Sequence, residues 1–363
     1  MKNDNVKFII VQILFFGILS LPEISNAATP VDPLANAKTK GVLDYLYTLP
    51  SLSSNRIISG QYTENRSGSS ATSCSGSASC DDISIIYNAA GKYVGFMGLD
   101  WTFSNLSNQS VIDYWNAGGL IQVGTHIYNP ATGGDAWDTT SVDINRLTQS
   151  GTTENTRLTN FLNGVAAHLS ALQTAGVVVF FRPLHEMNGS WFWWSSLGQT
   201  HYKTLWVYVY NYMTTTKGLH NLLWVWSPNG YLDSGWYPGN NYVDVVSVDL
   251  YGVLAPGAVS GYSSLTTTYG GKPFFLGEWG VCSGGLYESG CSRQDISSFI
   301  TAVKNNMPRT VAWLAWNNIY SMAYHTGVST ILSDPWVITR DEIPKFNGVD
   351  TQAPAPPTGL TVK

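Results

Sequence analysis

The sequence predicts a single α/β domain, a (β/α)8 TIM barrel, on three observations. Eight short, mostly apolar stretches recur along the chain, patterns of helical period separate them, and most stretches finish on polar or aromatic residues. Near-continuous apolar runs are what strands buried on both faces require, and alternation with helices makes a parallel sheet. No GxGxxG or Walker loop follows any stretch, which places a doubly wound sheet second to the barrel.

The predicted strands, in order, are RIISGQ (56–61), YVGFMGLDW (93–101), GLIQVGTH (119–126), VVVFFRPLHE (177–186), NLLWVWSPN (221–229), DVVSVDLYG (244–252), PFFLGEWG (273–280) and VAWLAWNN (311–318). Residues 34–49 read as an opening helix. In 154–176, Leu158, Phe161, Leu162, Val165, Leu169 and Leu172 recur at three- and four-residue steps, and Gly176 supplies a stop. In 292–307, Ser292 and Asp295 make a capping-box pattern ahead of a face formed by Ile296, Phe299, Ile300 and Val303.

The flanks read differently from this body. In residues 1–27, Lys2 and Lys7 precede an apolar run from Phe8 to Leu21 and a small-x-small site, Ser25-Asn26-Ala27, as in a secretory signal peptide; the run is short for a membrane span. A secreted protein, free of the membrane once cleaved, is expected, with its barrel over residues 33–346. Residues 347–363 read as a Pro-rich linker, and APPTGLTV resembles the first strand of a fibronectin type III-like module. Export makes the cysteines intelligible: the simplest pairing joins Cys74 to Cys80 and Cys282 to Cys291 as two loop staples, and no CxxC or nearby His supports a zinc site.

Charged residues are only 12% of the chain and the net charge is −5, so a neutral partner fits and nucleic acid does not. The polar strand ends, His126, Arg182, His185, Glu186, Asn229, Asp249, Tyr251, Glu278 and Trp316–Asn317, would converge on one mouth of a barrel, where active sites of this fold lie. Glu186 and Glu278 close the fourth and seventh predicted strands. Two carboxylates facing each other there can split a glycosidic bond, one protonating the departing oxygen and the other attacking the anomeric carbon. Aromatic neighbours would raise the pKa of Glu186, while Arg182 and Tyr251 are donors suited to holding Glu278 ionised.

HEMNG lacks the second His of HExxH, so hydrogen bonding by His185 and His126 is favoured over metal ligation, and no metal or other cofactor is expected. His168, His201 and His220 read as structural or surface residues. Among the tryptophans, Trp137, Trp191 and Trp316 are placed to stack on pyranose rings, Trp206, Trp224 and Trp313 to fill the core, and Trp193 and Trp194 to do either.

RPLHEMNGSWFWW, VDLYG, LGEWG and WLAWNN, in that order and with a GE strand about ninety residues after HE, resemble glycoside hydrolase family 26, typified by secreted endo-β-1,4-mannanases. The resemblance implies a retaining enzyme with Glu186 as acid/base and Glu278 as nucleophile, and Tyr251 bonding the nucleophile with Asp249 nearby. It further implies His185 and His126 lining the −1 subsite, Trp191 beside the scissile bond and Trp316 under the −1 sugar; Trp137, in GGDAWD, is a looser match. Thr125 stands where the family has Trp, and Asn317 where some members have Arg. Endo-hydrolysis of mannan, galactomannan and glucomannan by a monomer is therefore expected. β-1,3-Xylan or mixed-linkage glucan are the alternative substrates, and non-catalytic polysaccharide binding the alternative class.

Overall fold

In the computed structural model, residues 28–63, 81–104, 106–282 and 291–346 are described. The signal-like segment, Cys74, Cys80 and the Pro-rich tail lie outside them. Eight parallel strands close on themselves. They are β1 (Ile57–Ile58 and Gly60–Tyr62, broken at Ser59), β2 (Phe96–Asp100), β3 (Leu120–Gly124), β4 (Val179–Arg182), β5 (Leu222–Trp226), β6 (Val245–Tyr251), β7 (Phe274–Gly280) and β8 (Thr310–Ala315). β8 pairs with β7 on one side and with both halves of β1 on the other, which seals the barrel. A short β9 (Val337–Ile338) runs parallel to the first half of β1. All eight strands are buried almost throughout, as apolar runs without alternation require.

The interior is layered. Phe96, Phe180 and Phe275, from β2, β4 and β7, meet ring to ring at 4.9–5.7 Å across the barrel. Side chains two residues apart share a face of a strand, so Arg182 follows Phe180 up the inside, toward the C-terminal mouth. Gly98 lies between the layers because a Cβ there would stand 2.8 Å from the Tyr62 ring, which fills that space instead.

Helices clothe the outside. α1 (Ala37–Thr48) is capped by Asn36, whose side chain accepts from Thr39 N–H at 2.9 Å. α2 (Asp82–Ala90), α3 (Asn108–Asn116) and the short α4 (Ile144–Thr148) precede α5 (Thr153–Thr174). α5 begins at Thr152, which accepts from Asn155 N–H, and Gly176 (φ +74°) follows its end. Its Leu158, Leu162, Val165, Leu169 and Leu172 are buried as their spacing predicts, but Phe161 is only partly covered. α6 (Gly198–Asn211) follows β4.

The helix expected over 292–307 is shorter: α7 spans Phe299–Asn306, and the Ser292/Asp295 capping box does not form. Thr326 N–H donates to the Gln294 carbonyl, and Ile296 N–H donates to the Thr326 carbonyl. This bridge holds residues 294–296 extended, so they are unavailable to a helical turn. α8 (Val328–Leu332) completes the set. Among the described residues, no helix is long and apolar enough to cross a membrane.

Candidate active site

Arg182 is the last residue of β4, fully buried, and it organises the mouth. Its Nη1 donates to Asp249 Oδ2 at 2.7 Å, its Nη2 to Glu278 Oε1, and its Nε to the Tyr62 hydroxyl at 3.2 Å. Burial alone would lower its pKa, but the Asp249 and Glu278 carboxylates overcome this and hold it well above the usual value. The guanidinium fork grips both acids at once, a geometry a lysine ammonium cannot reproduce.

Glu186, Asp249 and Glu278 each bring a carboxylate oxygen within 4.8 Å of the others. That spacing could chelate a cation, but Arg182 already bonds two of the three, so the chain supplies the positive charge itself. One cation cannot satisfy three carboxylates in a dry site, so at least one acid resists ionisation. Burial pushes Asp249 well above the carboxylate range, against the pull of Arg182 and with Glu278 and Glu186 adding to the rise. Ser227 donates to Asp249 Oδ1 at 2.6 Å.

Glu278 sits within β7, at a bulge. The register with β6 jumps from Val248–Leu276 to Asp249–Glu278, leaving Gly277 without a partner. The bulge aligns Glu278 beside Asp249, and Arg182 reaches both. Tyr251, at the end of β6, donates its hydroxyl to Glu278 Oε2. Burial, with Glu278 and Glu186 alongside, raises the phenol pKa well above its usual value, so Tyr251 stays a donor. Both oxygens of Glu278 thus accept hydrogen bonds, which fix the orientation of the carboxylate.

Glu186 lies four residues beyond the observed end of β4, in a turn rather than on the strand as the sequence suggested. Its φ of +52° is in the left-handed region, which a glutamate rarely occupies. Two backbone bonds hold it there: its N–H donates to the Ser227 carbonyl at 2.7 Å, and its carbonyl accepts from Gly189 N–H at 3.0 Å. Trp191 Nε1 donates to Oε2 at 2.9 Å and Asn229 Nδ2 to Oε1 at 2.7 Å. Burial, reinforced by Glu278, lifts its pKa from 4.5 to about 7 despite these donors.

A second group adjoins this one. Asp100, at the end of β2, faces His126 Nδ1 at 2.8 Å, which leaves the other ring nitrogen for the cleft. Trp137 stacks on His126 at 5.0 Å, and His185 meets the same ring edge-on at 4.7 Å. Burial, with Arg182 and His126 nearby, holds the His185 pKa well below its usual value, so it is a neutral imidazole. Phe192 contacts His126, Trp137, His185 and Trp191, joining the two groups, and Trp316 packs on Tyr62 at 4.5 Å.

All ten site residues expected from sequence therefore fall in one connected cluster. Trp137 and Trp191 are 40% and 37% exposed, as stacking platforms must be, whereas Trp316, expected to stack as well, is only 6% exposed and packs on Tyr62. Trp193, Trp194, Trp206, Trp224 and Trp313 are core. His201 is exposed, His168 is buried in α5, and His220 bonds Asp32, consistent with structural or surface roles. Cys282 and Cys291 form the expected disulfide. Tyr62, Asp100, Asn188 and Ser227 were not singled out from sequence; Asn229 was named among the polar strand ends but given no role, and Asp100 occupies the same kind of strand-end position.

Comparison with known proteins agrees with this geometry. Residues 31–342 match the model of glycosyl hydrolase family 26. A mannan endo-1,4-beta-mannosidase of Bacillus subtilis (strain 168) is 33% identical over 96% of this chain and 97% of its own length. One from Caldalkalibacillus mannanilyticus is 34% identical over 93% of this chain and 68% of its own length. Among solved structures, a Bacillus subtilis mannanase superposes with a TM-score of 0.74 at 32% identity, covering 91% of this chain and all of that one. A β-mannanase from a symbiotic protist of the termite Reticulitermes speratus, solved with a gluco-manno-oligosaccharide, superposes with a TM-score of 0.68 at 25% identity, over 87% of this chain and 98% of the other. With its barrel, its paired glutamates and a family match across nearly the whole described chain, this protein belongs to glycosyl hydrolase family 26.

Proposed function

We propose that the protein is a secreted, monomeric endo-β-1,4-mannanase that hydrolyses mannan, galactomannan and glucomannan with retention of configuration. The observation that carries the chemistry is the close pairing of Glu186, whose pKa burial raises, with Glu278, which Arg182 and Tyr251 hold by hydrogen bonds, their oxygens within 4.8 Å. Carboxyl groups about 5 Å apart suit direct attack; inversion needs about 6.5 Å or more to admit a water. The mannan substrate is supported by the related mannosidases and by the protist enzyme's gluco-manno-oligosaccharide.

In this reading, Glu186 enters the cycle protonated. Its carboxyl proton passes to the glycosidic oxygen as a Glu278 oxygen bonds to the anomeric carbon, and the C–O bond to the leaving sugar breaks. The leaving sugar departs as an alcohol and a glycosyl ester of Glu278 remains. Glu186, now a carboxylate, takes a proton from water as that water attacks the same carbon, and Glu278 is released. Arg182 and Tyr251 hold the attacking carboxylate in place and stabilise it again as it departs. Trp191 and Asn229 donate to Glu186 and so stabilise the carboxylate that the first step leaves and the second step uses as base.

Reducing-sugar release from mannan, glucomannan, β-1,3-xylan and lichenan tests the reading. Preferential release from the two mannan polymers is expected. Release confined to xylan or lichenan would replace the substrate, and none from any polymer would remove the hydrolase.

A further inference from the structure

Beyond His126 the surface carries a second aromatic groove that the hydrolytic chemistry does not use. It lies between Trp101, just after β2, Tyr128, two residues past His126, and the first turns of α5, and encloses about 500 Å³. Phe161, the α5 residue left partly uncovered, is its hinge: its ring meets Trp101 at 5.6 Å and Tyr128 at 5.5 Å, both edge-on. Tyr128 is 50% exposed, the most exposed aromatic ring among the described residues. Arg157 and Asn160, both exposed on α5, complete the lining.

The groove is built rather than incidental. Arg157 Nη1 donates to the carbonyls of Pro130 at 3.1 Å and Ala131 at 2.5 Å, fixing the loop that carries Tyr128. Thr102, on the opposite lip, accepts from His126 N–H at 2.8 Å and donates to the His126 carbonyl at 3.3 Å. His126 therefore ties the groove to the cleft: its ring belongs to the catalytic cluster and its backbone to the groove wall.

We infer that this groove is a second polysaccharide-binding site, taking the same neutral β-mannan chain as the cleft; the inference rests on the mannan reading above. Its lining holds no carboxylate and one cationic side chain, Arg157, which suits a neutral ligand better than a cation. An exposed tyrosine face covers the C–H face of a pyranose ring, while the Asn160 amide and the remaining Arg157 N–H groups suit sugar hydroxyls. Two binding points on one rigid face raise the effective concentration of a polymer at the cleft, and a short oligosaccharide gains nothing from the second.

Tyr128→Ala and Asn160→Ala test this, each checked for folding by thermal melting. In a Glu278→Ala background, retardation on gels containing soluble glucomannan should weaken several-fold with either change. In the otherwise wild-type chain, KM for glucomannan should rise several-fold while kcat/KM on a manno-oligosaccharide spanning only the cleft stays unchanged. Unchanged retardation in both folded variants, or parallel losses on polymer and oligosaccharide, would overturn the second site. If the wild type releases no sugar from any mannan, the substrate reading fails. The groove is then judged by whether Tyr128→Ala weakens retardation by any neutral polymer in the panel, and no effect on any of them ends it as well.

Discussion

Asn188 clamps Asn229: its side-chain carbonyl accepts from the Asn229 backbone N–H at 2.7 Å, and its amide donates to the Asn229 carbonyl at 2.8 Å. Asn229 in turn donates its side-chain amide to Glu186 Oε1. Asn188 touches neither acid, so it acts as a positioning residue. Asn188→Ala should free Asn229 to swing, and Glu186 would lose a donor that favours its ionised form. The alkaline limb of kcat/KM should then move up by about half a unit to one unit, with about a tenfold loss at the optimum. A lowered melting temperature with an unmoved limb would mark the clamp as merely structural.

The raised pKa of Glu186 predicts both activity and stability against pH. The acid must be protonated for the first step, so kcat/KM should fall as pH rises through about 7. The folded pKa lies above the unfolded one, so the stabilising contribution is complete below 4.5 and is lost as pH rises through about 7. The full shift corresponds to about 3 kcal/mol. Glu186→Gln, which cannot ionise, should therefore stabilise the fold at pH 8 by about 1–3 kcal/mol and leave it unchanged at pH 4. The gain stays below the full figure because the amide presents a donor to one of two existing donors. Equal denaturation midpoints for variant and parent at pH 8 would contradict the burial argument.

The parts of this site legible in sequence are those set by strand period and strand end. Phe180 and Arg182 share a face because they stand two residues apart on β4, and Arg182, Asp249 and Glu278 meet because parallel strands end together at one mouth. What sequence did not reveal depends on departures from that period. The left-handed turn at Glu186 has no local residue signature, since glutamate argues against positive φ, and Gly277 within a strand hints at a bulge without revealing which residues the bulge aligns. Asp100 was hidden for another reason: its role is to hold His126, a contact across the β2–β3 pair that is set by the register placing Asp100 opposite Gly124. The failed capping box in 292–298 has the same origin, a pairing with Thr326 that overrides a correct local pattern.

Gly277 is predicted to tolerate no side chain. A Cβ there would stand 2.7 Å from Ser227 Oγ, 2.8 Å from Asp249 Oδ1 and 2.9 Å from Ser247 Oγ. Ser227 and Asp249 are bonded to each other and Asp249 to Arg182, so none can yield without disturbing the grip on Glu278. Gly277→Ala should cost about 1–3 kcal/mol of stability and reduce kcat far more than it raises KM. Wild-type kcat with a normal melting temperature would show that the bulge relaxes freely.

The two glutamates make separable predictions because only one must attack carbon. Glu278→Ala leaves Arg182 paired with Asp249, so the fold and polysaccharide binding should survive while turnover is abolished. Glu186→Ala should keep activity on an aryl β-mannoside, whose leaving group departs without a proton, and should lose it on polysaccharide. Azide then distinguishes the roles through product geometry. With Glu186 gone, azide displaces Glu278 from the glycosyl ester in a second inversion, and the product keeps the β configuration. With Glu278 gone, azide occupies the nucleophile's place on the opposite face, and a single displacement gives the α product. An α azide from Glu186→Ala and a β azide from Glu278→Ala would exchange the two roles. Near-normal turnover of polysaccharide by either variant would remove that residue from the chemistry.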